Sequence, residues 1–408
     1  MECQVCAGVS FLPVLDLGML PLVNALPPQS NMGPDECHEM SIVQCVDCSL
    51  VQLSSFPSMP EIFPDDYPYL SGLTPPLLAN FSAQATAVSG FMKGVSPKTV
   101  LNVLDVGSND GSLLSYYTRL GHRVIGIEPT SAAVVANKNG IKTIKAYFNS
   151  ESSSAAVEII GELDIVTATN VFAHIPEPVN IVENISKILS TNGIFVSENH
   201  YFVDLVTSLQ IDTIYHEHLR YYTLTSVSNL LARAGFEVFR VQRIDSHGGS
   251  IRVWSARKDT YPIETSVLEM LQDEANLGFV NGDYINKLQS AVSEWRINIR
   301  ELISQIRSSG GIIAGVGAPS RAVTLLTYLG LNAEDVICIG EKTGSKKIGK
   351  RIPTTKIPIV DEIELLKLKP SHLLILSWHI KNTLIPIFRK KDFKGLYIVP
   401  LPAPGVFS

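Results

Sequence analysis

The stretch Asp212-Thr213-Ile214-Tyr215-His216-Glu217-His218 places two histidines, a tyrosine and two carboxylates within seven residues. Together such groups can take and return protons near neutral pH, because imidazole titrates at about 6.5. The order is not that of a zinc-protease helix, since Arg220 stands where the second histidine ligand belongs. Any single histidine here also reads as an ordinary core or surface residue; only the group points to acid–base chemistry. Two matched pairs, Cys3-Gln4-Val5-Cys6 and Cys45-Val46-Asp47-Cys48, can offer four thiolates to one tetrahedral ion. The 38 residues between them exceed the commonest ribbon spacing, and the alternatives are a redox pair or unrelated core cysteines. A redox pair needs only one CxxC, usually opening a helix after a strand, and neither pair does so. Structural zinc on Cys3, Cys6, Cys45 and Cys48 is therefore the expectation, with Cys37 and Cys338 packed as small apolar residues.

The third group is Leu104-Asp105-Val106-Gly107-Ser108-Asn109-Asp110-Gly111, a strand, turn and helix start. Its glycines let the backbone approach a ligand, and Asp105 or Asp110 can meet a cationic amine. Glu128 ends the next strand, 21 residues after Gly107, where an acid can accept ribose hydroxyls. Two glycines do not make the pyrophosphate cradle of a dinucleotide site. A nucleoside cofactor without phosphates, S-adenosylmethionine, needs no such cradle. A nucleotide-binding or empty turn is the alternative. Asn170 falls at the end of the fourth strand, at the carboxyl edge where such sheets bind ligands, and residues 146–149 end the third.

The elements that must hold these groups follow from periodicity. From residue 99, apolar strands alternate with helical stretches: TVLNVLDVG, SLLSYYTRLG, HRVIGIEP, SAAVVANKNG, IKTIKAYF, ELDIVTATNVFAH, NIVENISKILS and GIFVSEN. That is the pattern of a doubly wound parallel sheet. GFEVFRVQRI and GGSIRVWSARK then close it as an antiparallel hairpin, typical of class I methyltransferases rather than dehydrogenases. The connecting Ser246-His247-Gly248-Gly249 reads either as a tight turn or as a place where His247 reaches a substrate. Residues 10–80 are proline- and turn-rich, implying a small irregular module. Residues 260–307 are helical, and a second Rossmann-like α/β pattern begins after Gly311. The expected fold is α/β, with a zinc-binding module over 1–75, a class I methyltransferase core over 76–258, and a helical linker with a second Rossmann-like domain over 259–408.

The 408 residues call for two or three domains. A net charge of −6 gives no basic field, so nucleic acid is not an expected partner, and the basic run Lys342–Arg351 reads as a solvated loop. The opening MECQVC has no signal-peptide pattern, and no apolar run reaches the roughly 18 residues that span a bilayer. A cytoplasmic chain with reduced cysteines and no membrane association is expected, with a monomer as the simplest state.

With these motifs in order, the chain resembles the sugar C-methyltransferases that add a methyl branch to deoxysugars. The resemblance covers nearly the whole chain: the cysteine pairs, PLVNAL at 21, Tyr67-Pro68-Tyr69-Leu70-Ser71, VGSNDGSLL, GIEP, TNVFAH ending at His174, DTIYHEH, HGGSIRV, GVGAPSRAVTLLTY and SWHIKN. It implies S-adenosylmethionine as methyl donor, structural zinc, and a nucleotide-linked 4-keto-6-deoxyhexose methylated on carbon 3. It implies His218 as the base that removes the carbon-3 proton. Tyr215 and Glu217 would organise base and sugar, while His174 and Tyr69 line the same pocket; the donor to the enolate stays open among them.

Three stretches of the C-terminal domain depart from the family's pattern. Ser320-Arg321-Ala322 stands where Ala-Lys-Gly is common, Glu341-Lys342-Thr343-Gly344 where Asp-Arg-Asn-Pro is, and Ser377-Trp378-His379 where Pro-Trp-Asn is. The resemblance thus bears on reaction type more than on which sugar or nucleotide. GVGAPS could hold the substrate's nucleotide or simply cover the site; Ser320, where a dinucleotide fingerprint has Gly or Ala, argues against NAD.

Overall fold

The structure, a computed structural model, describes residues 1–63, 72 and 75–408. The N-terminal part contributes strands β1 (Phe11–Leu20), β2 (His38–Cys45) and β3 (Val51–Leu53). The central part contributes β4 (Asn102–Val106), β5 (Arg123–Ile127), β6 (Thr143–Ile144), β7 (Leu163–Thr169), β8 (Leu189–His200), β9 (Arg220–Tyr221), β10 (Phe236–Ile244) and β11 (Ser250–Arg257). The C-terminal part contributes β12 (Ile313–Val316), β13 (Ile339–Glu341), β14 (Ile359–Asp361), β15 (His372–Ile375), β16 (Leu396–Val399) and β17 (Gly405–Phe407).

The central sheet has the order β10-β11-β8-β7-β4-β5-β6. Strands β8 to β6 in that order run parallel, and β11 inserts antiparallel between β8 and β10. This is the expected methyltransferase signature. Strand β7 is buried almost throughout and β4 over its last four residues, which explains their unbroken apolar runs: helices cover both faces. The third strand is much shorter than IKTIKAYF suggested, because the chain leaves the sheet after Ile144 and Asn149 caps the next helix, Ser150–Ile160. The third sheet, β14-β13-β12-β15-β16-β17, is parallel except for its last strand.

The N-terminal part is more regular than its prolines imply. Strands β1 and β2 pair antiparallel over most of their length, with register shifts after Pro13 and Asp16. Those irregularities accommodate Pro13 and Gly18, which as strand breakers hid the period of two. The sheet order is β1-β2-β3-β9, so its last strand comes from the central domain, directly after the histidine-rich segment. One apolar cluster continues from Val14 and Met40 through Phe172 and Ile214 to Leu326 and Ile398, joining all three parts. The helix Ile285–Ser308 buries Leu288, Val292, Trp295, Ile299 and Ile303 at three- and four-residue spacing, and Trp295 Nε1 donates to the Pro400 carbonyl at 2.7 Å. No helix among the described residues is long and apolar enough to cross a membrane.

The run Lys342–Arg351 is not a solvated loop at its end. Arg351 is buried, its guanidinium forked onto the Asp35 carboxylate with both contacts at 2.9 Å. A charge run looks solvated in sequence because its counter-charge lies 316 residues away. Cys338 is buried as expected, whereas Cys37 is only half-buried, beside Asp35.

Candidate active site

The cysteine pairs converge. Sγ of Cys3 lies 3.4 Å from that of Cys48, Sγ of Cys6 lies 3.5 Å from that of Cys45, and all four fall within 4.8 Å of one another. A tetrahedron with zinc–sulfur bonds of about 2.3 Å has edges of about 3.8 Å, so the four thiols are close to the spacing that ion needs. The Cys48 thiol lowers Cys3 to about 5, while burial lifts Cys45 to about 11 and the Cys3 neighbour lifts Cys48. Only a cation at the centre lets all four ionise together. The pairs sit beside strands rather than helices, in keeping with a structural site. Cys48 is tied to the central domain through its carbonyl, which accepts from Asn229 Nδ2 at 3.0 Å.

On the cofactor side, strand β4 runs into a turn held by three left-handed residues, Gly107 (φ 68°), Asn109 (φ 49°) and Gly111 (φ 78°). A Cβ at Gly107 would come within 2.7 Å of the Val171 side chain, so this glycine is required by close approach as well as by conformation. Glu128 braces the turn: Asn109 N–H donates to Oε2 at 3.0 Å and Thr130 N–H to Oε1 at 2.9 Å. Asp110 accepts from Gly72 N–H at 2.8 Å and Ser112 N–H at 3.2 Å. Asp105 is buried and accepts from Thr167 Oγ1 at 2.6 Å; burial, with Glu128 and Glu198 nearby, raises its carboxyl to about 7. Asn170 (φ 57°) donates its N–H to the Glu198 carbonyl at 2.9 Å, and its buried Oδ1 has no partner among the described residues. A carboxyl awaiting a counter-charge and an orphaned amide oxygen suit a ligand carrying an ammonium and hydroxyls, as S-adenosylmethionine does.

One member of this wall was not singled out from the sequence. Glu198, buried on β8, accepts from Arg252 Nε at 2.7 Å, Asn80 Nδ2 at 2.6 Å and Gln84 Nε2 at 3.0 Å. It thereby fastens the helix Pro75–Val95 to the sheet edge. An acid closing one apolar strand and an arginine within the next were the available signal.

Beyond the carboxyl edge, His218 donates Nδ1–H to the Thr213 carbonyl at 2.7 Å, and His174 donates Nδ1–H to the Glu217 carbonyl at 2.7 Å. A carbonyl only accepts, so in both rings the proton lies on Nδ1 and the lone pair on Nε2. Ring centroids of His174 and His218 are 5.1 Å apart, Tyr215 lies over His218 at 4.2 Å, and His200 lies 5.3 Å from His218 and from His247. The structure therefore gathers His174, Tyr215 and His218, and adds His200 and His247. Burial lowers His174 and His247 to about 4, and holds His200 and His218 well below the ordinary imidazole value. All are neutral at pH 7. His216 points away, its Nε2–H directed at the Glu39 carbonyl at 3.2 Å. Tyr69 lies outside the described residues.

The segment is gripped from both flanking parts. Glu217 accepts from Asn24 Nδ2 of the N-terminal module, and Asn24 Oδ1 accepts from Ser320 Oγ of the C-terminal domain at 3.3 Å. Arg220, buried, spends its guanidinium on the Gln4 side chain and the carbonyls of Phe172, Ile175 and Pro176. Its role is to join the zinc module to the loop carrying His174. Nothing local in the sequence marked Asn24 or Arg220 for these contacts.

The fold and these sites define an S-adenosylmethionine-dependent methyltransferase of class I with an added zinc-binding module. Residues 3–63 match the family described as "Putative zinc binding domain", 78–241 "Methyltransferase domain", and 245–402 "C-methyltransferase C-terminal domain". The chain is 30% identical over 413 aligned residues to the C-methyltransferase NovU of Streptomyces niveus, covering 100% of this chain and 97% of that one. It belongs to the C-methyltransferase family. A shorter likeness, 23% identity, links 42% of the chain to 74% of a ubiquinone biosynthesis O-methyltransferase from Cupriavidus pinatubonensis. Magnesium protoporphyrin IX methyltransferase from Synechocystis, solved with S-adenosylhomocysteine, aligns with 44% of this chain and 84% of its own at 13% identity and a TM-score of 0.34.

Proposed function

We propose that this enzyme methylates carbon 3 of a nucleotide-linked 4-keto-6-deoxyhexose. The observation that carries the reading is the His218 ring, buried and fixed by the Thr213 carbonyl so that the lone pair lies on Nε2. An oxygen or nitrogen already carries the lone pair that attacks a methyl group, whereas a carbon beside a ketone becomes a nucleophile only after a base has removed its proton. Bound S-adenosylmethionine supplies an electrophilic methyl on a sulfonium sulfur. Asp105, Asn109, Asp110, Glu128 and Asn170, around the Gly107 turn, hold it at the carboxyl edge of the sheet. His218 Nε2 takes the carbon-3 proton, and the electron pair moves onto the ketone oxygen as an enolate. Carbon 3 would then be the nucleophile toward the sulfonium methyl that bound S-adenosylmethionine would supply, with S-adenosylhomocysteine as the leaving group. His174, Tyr215 and Glu217 shape the sugar pocket, and Tyr69 joins them on the strength of the resemblance alone. Cys3, Cys6, Cys45 and Cys48 hold zinc away from the reacting atoms, so the metal steadies the module that brings Asn24 onto Glu217.

The test is incubation with a panel of 4-keto-6-deoxyhexose nucleotides in deuterated water, with and without S-adenosylmethionine. Expected are deuterium at carbon 3 without cofactor and a carbon-bound methyl with it. A methyl found on oxygen, or no product from any member of the panel, would overturn the reading.

A further inference from the structure

The Thr213 carbonyl that orients His218 belongs to a single helical turn, Ile211–Thr213, and its neighbour Asp212 is fully buried. Both groups that hold the Asp212 carboxylate come from the C-terminal domain. Trp378 Nε1–H donates to Oδ2 at 2.7 Å, and Arg321 Nε stands 3.6 Å from the same oxygen. Arg321 lies over the Trp378 ring at 5.5 Å and donates through its guanidinium to His379 Nδ1 at 2.9 Å. Oδ1 of Asp212 has no hydrogen bond among the described residues.

A buried ion pair adds little net stability over apolar side chains of the same volume, so stability does not explain this one. What two donors from separate elements give a carboxylate is a fixed position. One peptide unit farther on, about 3.8 Å between Cα atoms, that position becomes the position of the Thr213 carbonyl.

We infer that Asp212 is a positioning residue through which the docked C-terminal domain, by Trp378 and Arg321, sets the orientation and tautomer of His218. The domain is then part of the catalytic apparatus whether or not it also holds the nucleotide. The inference rests on reading His218 as the base. Burial first, and the Arg321 guanidinium beside the cluster in addition, lower the proton affinity of His218, His200 and His247.

Full-length Trp378→Phe keeps an aromatic ring but loses the N–H donor and the five-membered half of the indole; Asp212→Asn keeps the shape and loses the charge. With histidines labelled by nitrogen-15, and His218 assigned by its absence in His218→Asn, the wild type should show one tautomer protonated at Nδ1. Either variant should show mixed tautomers and a kcat about 100-fold lower, since misplacing a reacting group by an ångström costs about that much. S-adenosylhomocysteine affinity should stay within about twofold, and Arg321→Lys should retain more turnover than Arg321→Gln. Either variant that binds S-adenosylhomocysteine normally suffices. A wild-type tautomer in both variants, with kcat within about twofold, overturns the inference. A wild type inactive on every keto-sugar nucleotide sinks the substrate reading instead, while the nitrogen spectra still decide whether the clamp sets the ring.

Discussion

Replacing Asp35 by asparagine tests how the N-terminal module is seated over the active site. The Asp35 carboxylate accepts from both ends of the Arg351 guanidinium at 2.9 Å, from Thr354 N–H at 2.7 Å and from Lys356 Nζ at 3.2 Å. Burial alone would raise its carboxyl, but Arg351, the Thr354 amide and Lys356 outweigh it and hold it at about 2. Against about 3.9 in an unfolded chain, that difference is worth about 2.5 kcal/mol at neutral pH. Because the folded value is depressed, the stabilisation is complete above about pH 4 and is lost as pH falls through about 2. Asp35→Asn also leaves the buried Arg351 without its counter-charge, and breaking such pairs costs about 3–5 kcal/mol. Urea unfolding, followed by tryptophan fluorescence, should show the variant about 3 kcal/mol less stable at pH 7, with the gap closing between about pH 4 and 2. Asn24 sits on the same segment as Asp35, so turnover should fall as well. A gap below about 1 kcal/mol at pH 7, or one that does not narrow in acid, would refute the argument.

His218→Asn should lose at least about 100-fold in turnover while binding cofactor normally by calorimetry; near-normal turnover removes His218 as the base. Burial, then the neighbouring His174, depress His218, and Arg321 and His247 add to the effect, so its neutral form persists as pH falls. The acid limb of kcat/KM should therefore lie below about 6.5, and a midpoint at or above that value contradicts the assignment. Cys45→Ser should cut bound zinc to under about half of wild type by elemental analysis, and unchanged stoichiometry counts against the four-cysteine site. Glu274 is fully buried and accepts from Tyr201 OH, from the Leu224 and Thr225 amides and from Thr225 Oγ1, at the start of the helix Leu224–Ala232. Glu274→Gln should lower stability by about 1–3 kcal/mol, and a melting temperature within about 1 °C of wild type would contradict this.

Several features were legible because their physics is local. The apolar runs of β4, β5 and β7, the glycine turn after Val106 and the closing hairpin all follow from periodicity and turn chemistry over a few residues. The matched cysteine pairs likewise carried their reading in their own spacing. Features that depend on long-range pairing were not legible. Strand β1 hid behind Pro13 and Gly18, β9 is only two residues long, and Arg351 looked solvated while Asp35 lay far away in the chain.

The same division holds at the site. The residue types of Tyr215-His216-Glu217-His218 by themselves make proton transfer available, since imidazole and carboxylate groups take and return protons. Which nitrogen carries the proton was decided by the Thr213 carbonyl, and which histidines share the pocket by strands β7, β8 and the β10–β11 hairpin, which bring in His174, His200 and His247. The opposite direction of His216 was decided by the Glu39 carbonyl across the N-terminal sheet. A sequence states which groups are present within a few residues; tautomer, burial and counter-charge depend on atoms that only the folded chain brings within hydrogen-bonding distance.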